Sequence, residues 1–563
     1  MKKIFAVLVI IAILACAGRV RAAGPATVGD PKQPGQLAQA VQDAYAQGAR
    51  KIVIRPGTYV LPDVGHTALT LDGWHDAAVS GYGATLILTD LRWMHDAIDL
   101  KNCAGVTLAG FTLSQNKITS YQGRIVAVGK DAGGKDYCDW KPDAGYPVPP
   151  EHDKGFLGGD VNVVDAQTRL FKVGAGDFYG VSYQALPGGI FRAQMKNGAK
   201  GGVAGDWLVG RYGDAPFKVY LNNCRGCTVQ DVTLVRNGFA PLREENGGGN
   251  HYLHVVWALG PPPAGGTETP LVTNSADGMH MTDAYPGPDI ERCIFQGLFL
   301  DDCIAIHGYL QTVTAVNGPA LTLKGGVGAL KASGPVRVSD TKGFFGEAAV
   351  TSVKDNGDGT ATVVLDRDLG VPPGAKLSNP LADGAGYKIL GCRLGNTRSR
   401  GILAKADNGM IENNIIEGCG QAAISLGPEY GWGEADYVRN VTIAGNVIRG
   451  NGRCAYGGGA VLVHGDGAMG NRDIIIRDNR FADYQGDVDI QWADGVTLAG
   501  NVMAGAAAWP SVIPLQSPVS LAHCRAVILR ANVVRNPRVY RPLLVSLGAD
   551  VTGLQGNDAA GIR

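Results

Sequence analysis

A chain of 563 residues exceeds the size at which one compact core stops growing, so it predicts several domains or an elongated repeat. With 82 glycines and only 18% charged residues, the composition excludes disorder and a long helical array and favours a turn-rich β protein. Formal charge is zero, no basic stripe points to nucleic acid and no polybasic patch points to an anionic membrane.

Residues 1–22 read as a secretory signal: Lys2 and Lys3, an apolar run over 4–17, and small residues at Val20-Arg21-Ala22 before cleavage after Ala22. The apolar run falls short of the roughly 20 residues that a spanning helix needs. A secreted or periplasmic protein is expected, with lipid anchoring at Cys16 a minor alternative because Leu14-Ala15 precede it. Loss of Lys2, Lys3, Arg19 and Arg21 leaves the mature chain mildly acidic.

Next, Leu37, Val41, Ala44 and Tyr45 share one helical face and Gly48 stops it, predicting a short helix that caps the open edge of a β-structure. Residues 51–61, KIVIRPGTYVL, read as strand, turn, strand. One phrase then recurs: GVTLAGFTL, CTVQDVTL, VTIAGNVI, IIIRDNRF, VTLAGNVM, VILRANVV. Uneven spacing between copies predicts a solenoid whose strands stay aligned while its turns vary in length. Asn446, Asn479, Asn501, Asn532 and Asn557 recur within the phrase and predict a structural ladder between coils.

Two stretches break the rhythm and predict inserted β domains, giving the division 1–22 signal, 23–119 first coils, 120–217 insert, 218–308 coils, 309–387 insert and 388–563 last coils. The fold class read from these signals is all-β: a solenoid of stacked coils with two inserted β domains and a short capping helix. Cysteines 103, 224, 293, 303, 392 and 524 stand in similar settings, which suits a small buried filler, although export also permits disulfides. Cys224-x-x-Cys227 lacks the second pair that a structural zinc site needs.

The chemistry concentrates in 274–308, NSADGMHMTDAYPGPDIERCIFQGLFLDDCIAIHG. Asp277 precedes Asp301 and Asp302 by about one coil, and adjacent coils stand about 4.8 Å apart, so in-register stacking gathers three acids. Crowded carboxylates raise one another's proton affinity, so one acid stays protonated while another is ionised. In a plain strand Asp301 and Asp302 point to opposite faces, so a bend that turns both outward is expected. The bland alternative, a turn aspartate plus a solvated pair, fits poorly with the apolar strand formers of LFLDDCIAIHG.

His280 and His307 are placed to orient a carboxylate, to bind a sugar hydroxyl, or simply to serve the fold. With no evident third ligand beside them, no metal or other cofactor is expected. Arg243, Glu244, Glu245 and Asn250 surround glycines 247–249, where sugar contact and turn chemistry are both open. Trp432, amid Glu429, Glu434 and Asp436, stacks on a sugar or packs its own loop. Arg398, Arg400 and Lys405 favour a uronic acid if they reach the cleft.

ENGGGNHY, GTETPLVTNSADGMH, LDDCIAIHG, SRGILAKADNGMIENNIIEG and GPEYGWGEADYVRNVTI resemble the bacterial α-1,3-galactosidases of glycoside hydrolase family 110. More distantly, the Asn-x-x-Asp then Asp-Asp order resembles polygalacturonases. The resemblance implies a right-handed parallel β-helix carrying two small β-barrel-like inserts and an inverting hydrolase of terminal α-galactosides, with Asp301 as general acid and Asp277 and Asp302 holding and deprotonating the attacking water. From their own settings, Arg243, Glu245, Asn250, His280, His307, Arg400, Glu429 and Trp432 are the expected substrate contacts. Inversion needs about 6.5–9.5 Å between acid and base, so the side chains are expected to splay. The alternatives are a polygalacturonase-like hydrolase and a non-catalytic carbohydrate-binding solenoid. An oligosaccharide or polysaccharide is the expected partner, and the oligomeric state is not legible.

Overall fold

The computed structural model describes residues 24–92, 94–148, 161–175, 181–194, 202–211, 216–325, 328, 330, 334–454, 459–482, 486–504, 517–535, 544–552 and 558–559. The signal at 1–22 with Cys16, and the last ladder position Asn557, lie outside them. The chain winds as a right-handed parallel β-helix in which each coil lends one short strand to each of three long parallel sheets. The sheets run from Ala26–Val28 to Val551–Thr552, from Leu69–Asp72 to Leu544–Leu547, and from Gly57–Leu61 to Asp558–Ala559.

Register stacks like on like. Leu69, Ile98, Val219, Leu242, Met279, Ile304, Ile402, Ile424 and Val461 lie one above another along the second sheet. All are buried in one continuous apolar core that fills the solenoid. Because side chains alternate, the next residue of each strand faces outward, and there His280 stands between Arg243 and Ala305. At the first coils, helix Leu37–Ala46 buries Leu37, Val41 and Ala44 against this core, and Tyr45 stacks on Trp74 at 3.8 Å.

The ladder is present and begins one coil earlier than expected: Asn414, Asn446, Asn479, Asn501 and Asn532 each donate from Nδ2 to a backbone carbonyl of the preceding coil at 2.9–3.0 Å. The first four also donate to the Oδ1 of the next asparagine. Ten cysteines are buried free thiols. They occupy more than one corner. Asn102, Asn223 and His523 turn the chain through left-handed backbone after second-sheet strands, whereas Arg292 and Gly391 do so after first-sheet strands, and a cysteine follows each.

The first interruption is a six-stranded antiparallel sheet from Ser120–Lys130 to Trp207–Arg211, with Tyr121, Trp140, Val163 and Leu208 in a core of its own. The second is a closed six-stranded barrel from Gln311–Asn317 to Lys376–Ser378, filled by Val313, Val338 and Val363. Arg337 pins the barrel to the solenoid through a 3.1 Å bond to Asp436 and a second to Asp407.

Candidate active site

The site sits on the outward face of the second sheet, at the corner that leads into it. Met279, Ile304 and Ile402 are register partners, so the residues two places earlier in each coil, Asp277, Asp302 and Arg400, form a vertical stack. One bond repeats up the stack. The Asp302 N–H donates to Asp277 Oδ1 at 3.1 Å, and the Arg400 N–H donates to Asp302 Oδ1 at 2.8 Å. Each carboxylate therefore replaces the carbonyl that a regular ladder would offer at that corner.

Arg400 also grips Asp302 with its side chain, Nε to Oδ1 at 2.9 Å and Nη2 to Oδ2 at 3.0 Å, the planar fork that guanidinium and carboxylate share. Asp301, in the bend between strands Leu298–Phe299 and Ile304–Tyr309, is held by Arg211 at 2.8 Å and Arg398 at 3.1 Å. The bend does turn both acids toward the cavity. The expected splaying does not occur: one oxygen from each of Asp277, Asp301 and Asp302 lies within 4.8 Å of the other two. The shared backbone bonds and the arginines hold them together. Guanidinium groups meet both oxygens of Asp301 and of Asp302.

Their proton affinities are pulled apart. Burial, reinforced by the Asp301 charge, raises Asp277 to about 7. Burial also acts on Asp301, but Arg398 and Arg211 outweigh it and hold that carboxyl down at about 2. Asp302 is raised, by burial first and then by its two acidic neighbours against the pull of Arg400.

Above the trio, His280 Nδ1 meets Asp277 Oδ2 at 2.8 Å, and His280 Nε2 meets His307 Nε2 at 3.0 Å. Burial lowers both rings to about 4, so both are neutral at physiological pH. On the far wall the Glu429 and Glu434 carboxylates pair with the buried Lys405 ammonium at 3.2 and 3.5 Å, and Glu429 also meets Arg400. Burial acts on Glu429 too, yet Lys405 and Arg400 bring it down to about 2. Trp432, 74% exposed at the tip of the Glu429–Glu434 turn, stands on the rim. The cavity they enclose measures about 580 Å³, within the range of about 300–1,000 Å³ usual for small-molecule sites.

Asp277, Asp301, Asp302, His280, His307, Arg400, Glu429 and Trp432 thus share one cavity. Arg243 and Glu245 do not line it. They sit one coil below His280, bonded to each other, with Glu245 also taking the Tyr220 hydroxyl at 2.6 Å. Asn250 is corrected to a structural role: it is fully buried, accepts from the Cys227 N–H at 2.8 Å and donates to the Cys224 carbonyl at 3.1 Å and to Glu244 at 2.8 Å. Glu244 lies in the inward stack beneath it, and burial raises it to about 7. Sequence reading missed Arg211, Ser399 and Gln421. The last two lie one and two coils above Asp301 and were recoverable from register, whereas Arg211 arrives from the first insert with no local signal.

No family model matches the sequence, and no curated protein does. Among solved structures, the chain is similar to the A-module of a mannuronan C-5 epimerase from Azotobacter vinelandii, at 11% identity and TM-score 0.37, covering 96% of this chain and 97% of that one. A mutant tailspike protein of E. coli bacteriophage HK620 in complex with a pentasaccharide matches at 11% identity and TM-score 0.41, over 94% of this chain and 63% of that one. The catalytic unit of a thermostable α-1,3-glucanase from Streptomyces thermodiastaticus gives 11% and 0.41, over 96% and 69%. Likeness at this level is no guide to activity.

Proposed function

We propose that the protein is an exported glycoside hydrolase that cleaves terminal α-galactosides, or a closely related neutral sugar, by carboxylate acid/base catalysis. The observation that carries the reading is the geometry of one cluster: three carboxylates with oxygens within 4.8 Å, Asp277 against His280 and Asp301 clamped between Arg211 and Arg398. This arrangement lets Asp277 hold a proton to about 7 while Asp301 is held down at about 2. On that electrostatics Asp277 is the proton donor to the leaving oxygen, which reverses the role that the family resemblance gives Asp301. Asp302, raised yet steadied by Arg400, takes the proton of the attacking water. Asp301, held ionised by two arginines, keeps the proton on Asp277 by its neighbouring charge.

Charge balance supports a neutral sugar over a uronate. Arg398 and Arg400 do reach the cavity, but with Asp277 protonated the four cations Arg211, Arg398, Arg400 and Lys405 face the four carboxylates of Asp301, Asp302, Glu429 and Glu434. A substrate carboxylate would meet these acids with no cation reserved for it.

Side-by-side digestion of an aryl α-galactoside and polygalacturonate tests the reading. Release from the galactoside alone is expected, and the anomer that NMR detects first gives the stereochemical course. The β-anomer marks inversion, which requires acid and base, with oxygens within 4.8 Å of each other, to draw apart around the sugar and its water. Asp277→Asn, Asp301→Asn and Asp302→Asn are each expected to lower kcat by about 100-fold or more while leaving sugar binding measurable. Undiminished turnover in all three variants would reject the site, and binding without any turnover in the wild type would mark a carbohydrate-binding solenoid.

A further inference from the structure

The two histidines above the trio fix a proton count. His307 Nδ1 lies 2.9 Å from the Gly308 carbonyl oxygen, which only accepts, so Nδ1 carries hydrogen. In a neutral ring Nε2 is then bare, and the 3.0 Å contact to His280 Nε2 requires the hydrogen on His280. Neutral His280 therefore presents a bare Nδ1 to Asp277 Oδ2 at 2.8 Å, and that contact is a hydrogen bond only if Asp277 is protonated. Shifting the proton to His280, or onward to His307, preserves all three bonds. Removing it sets two lone pairs against each other at one junction.

We propose that Asp277, His280 and His307 form a closed chain that stores one proton beside the reacting bond, with His307, anchored on the Gly308 backbone, as the positioning residue that sets its direction. Because the far end is a carbonyl, the chain stores the proton instead of conducting it to solvent. A glycosidic oxygen brought to Asp277 competes with His280 for that hydrogen, and after transfer the opposed lone pairs favour reprotonation of Asp277. The use of the stored proton in bond cleavage rests on the hydrolase reading. Its presence does not.

The surroundings agree. His307 is 2% exposed, whereas His280 and Asp277 keep 17% and 13% of their side-chain surface open on the cavity side. Arg243 and Glu245 face His280 from the coil below, Asp301, Asp302, Arg211 and Arg400 flank Asp277, and Glu434 and Lys405 face His307. Burial, with Arg243 beside His280, disfavours charge on the rings, so the proton rests on Asp277.

The first test needs no substrate. In the 15N-histidine NMR spectrum of the free protein at pH 6, with signals assigned through His280→Gln and His307→Gln, His307 is expected as the Nδ1–H tautomer and His280 as the Nε2–H tautomer. An Nδ1–H or imidazolium His280 at that pH overturns the proposal. The second uses kcat/KM against pH. His307→Leu removes the acceptor and frees His280 to donate to an ionised Asp277, so the alkaline limb is expected to move down by about one pH unit or more. His307→Gln, whose Oε1 accepts from His280, is expected to hold the limb in place. An unmoved limb in the leucine variant, or equal movement in both, overturns the positioning role. Expected tautomers with no turnover on any glycan would support the chain and sink the hydrolase reading.

Discussion

Asp277 binds its proton more tightly in the folded protein than in the unfolded chain, and that difference makes stability depend on pH. Its folded value is about 7, against about 4 for an ordinary aspartate. Between those limits the native state holds a proton that the unfolded state has released, so stability falls as pH rises through the window and the penalty is complete above it. An asparagine in place of Asp277 is a neutral mimic of the protonated acid: the amide Oδ1 still accepts from the Asp302 N–H, and the amide Nδ2 donates to His280 Nδ1. Asp277→Asn is therefore expected to be more stable than wild type at pH 8 by roughly 4 kcal/mol, with the gap closing near pH 4. Urea unfolding midpoints at the two pH values measure it, and a gap independent of pH would contradict the assignment. Asp301 runs the other way. Its lowered value stabilises the fold above about pH 4, and that contribution is lost as pH falls toward 2.

The asparagine ladder is the element whose role was most legible, because one residue at one corner of successive coils leaves a repeat in the sequence. Asn479 makes four bonds while 1% exposed: it donates to the Ile443 carbonyl and to Asn501 Oδ1, and accepts from the Asn446 N–H and Nδ2. Asn479→Ala strands the Ile443 carbonyl and the Asn446 N–H in the core, an expected cost of about 2–4 kcal/mol. Coils couple chiefly to their neighbours, so hydrogen exchange is expected to rise in Arg439–Ala444 and Ala493–Ala499 while Met279–Thr282 keeps its protection. Exchange rising equally in all three strands would show global cooperativity instead. Asn250 makes the same pair of backbone bonds as Asn414, one N–H accepted and one carbonyl satisfied from the preceding coil. It was misread because it belongs to a different corner, and its three glycine neighbours mimic an open binding loop. The cysteines misled in a similar way, since one local phrase, a left-handed residue followed by a small buried thiol, serves two corners.

At the scale of the whole molecule, the solenoid could be read from its repeats, and the acid trio from one coil's spacing between Asp277 and Asp301/Asp302. What could not be read is how the inserts meet the solenoid, because no periodicity links residues ninety places apart. Arg211 is the case in point. It ends the last strand of the first insert, Trp207–Arg211, and reaches across to Asp301 Oδ2 at 2.8 Å and to the Leu300 carbonyl at 2.9 Å. The insert therefore completes the electrostatics of a site built on other coils. Replacing Arg211 by Met keeps the stem packing but leaves Asp301 to Arg398, with Arg400 more distant, so burial regains weight and the carboxyl rises from about 2 toward the ordinary range. If catalysis needs Asp301 ionised, the acid limb of kcat/KM is expected to move up by about one pH unit or more while the alkaline limb, set by Asp277, moves little. A uniform loss at every pH, with the acid limb unmoved, would reduce Arg211 to a packing contact and separate the insert from the chemistry.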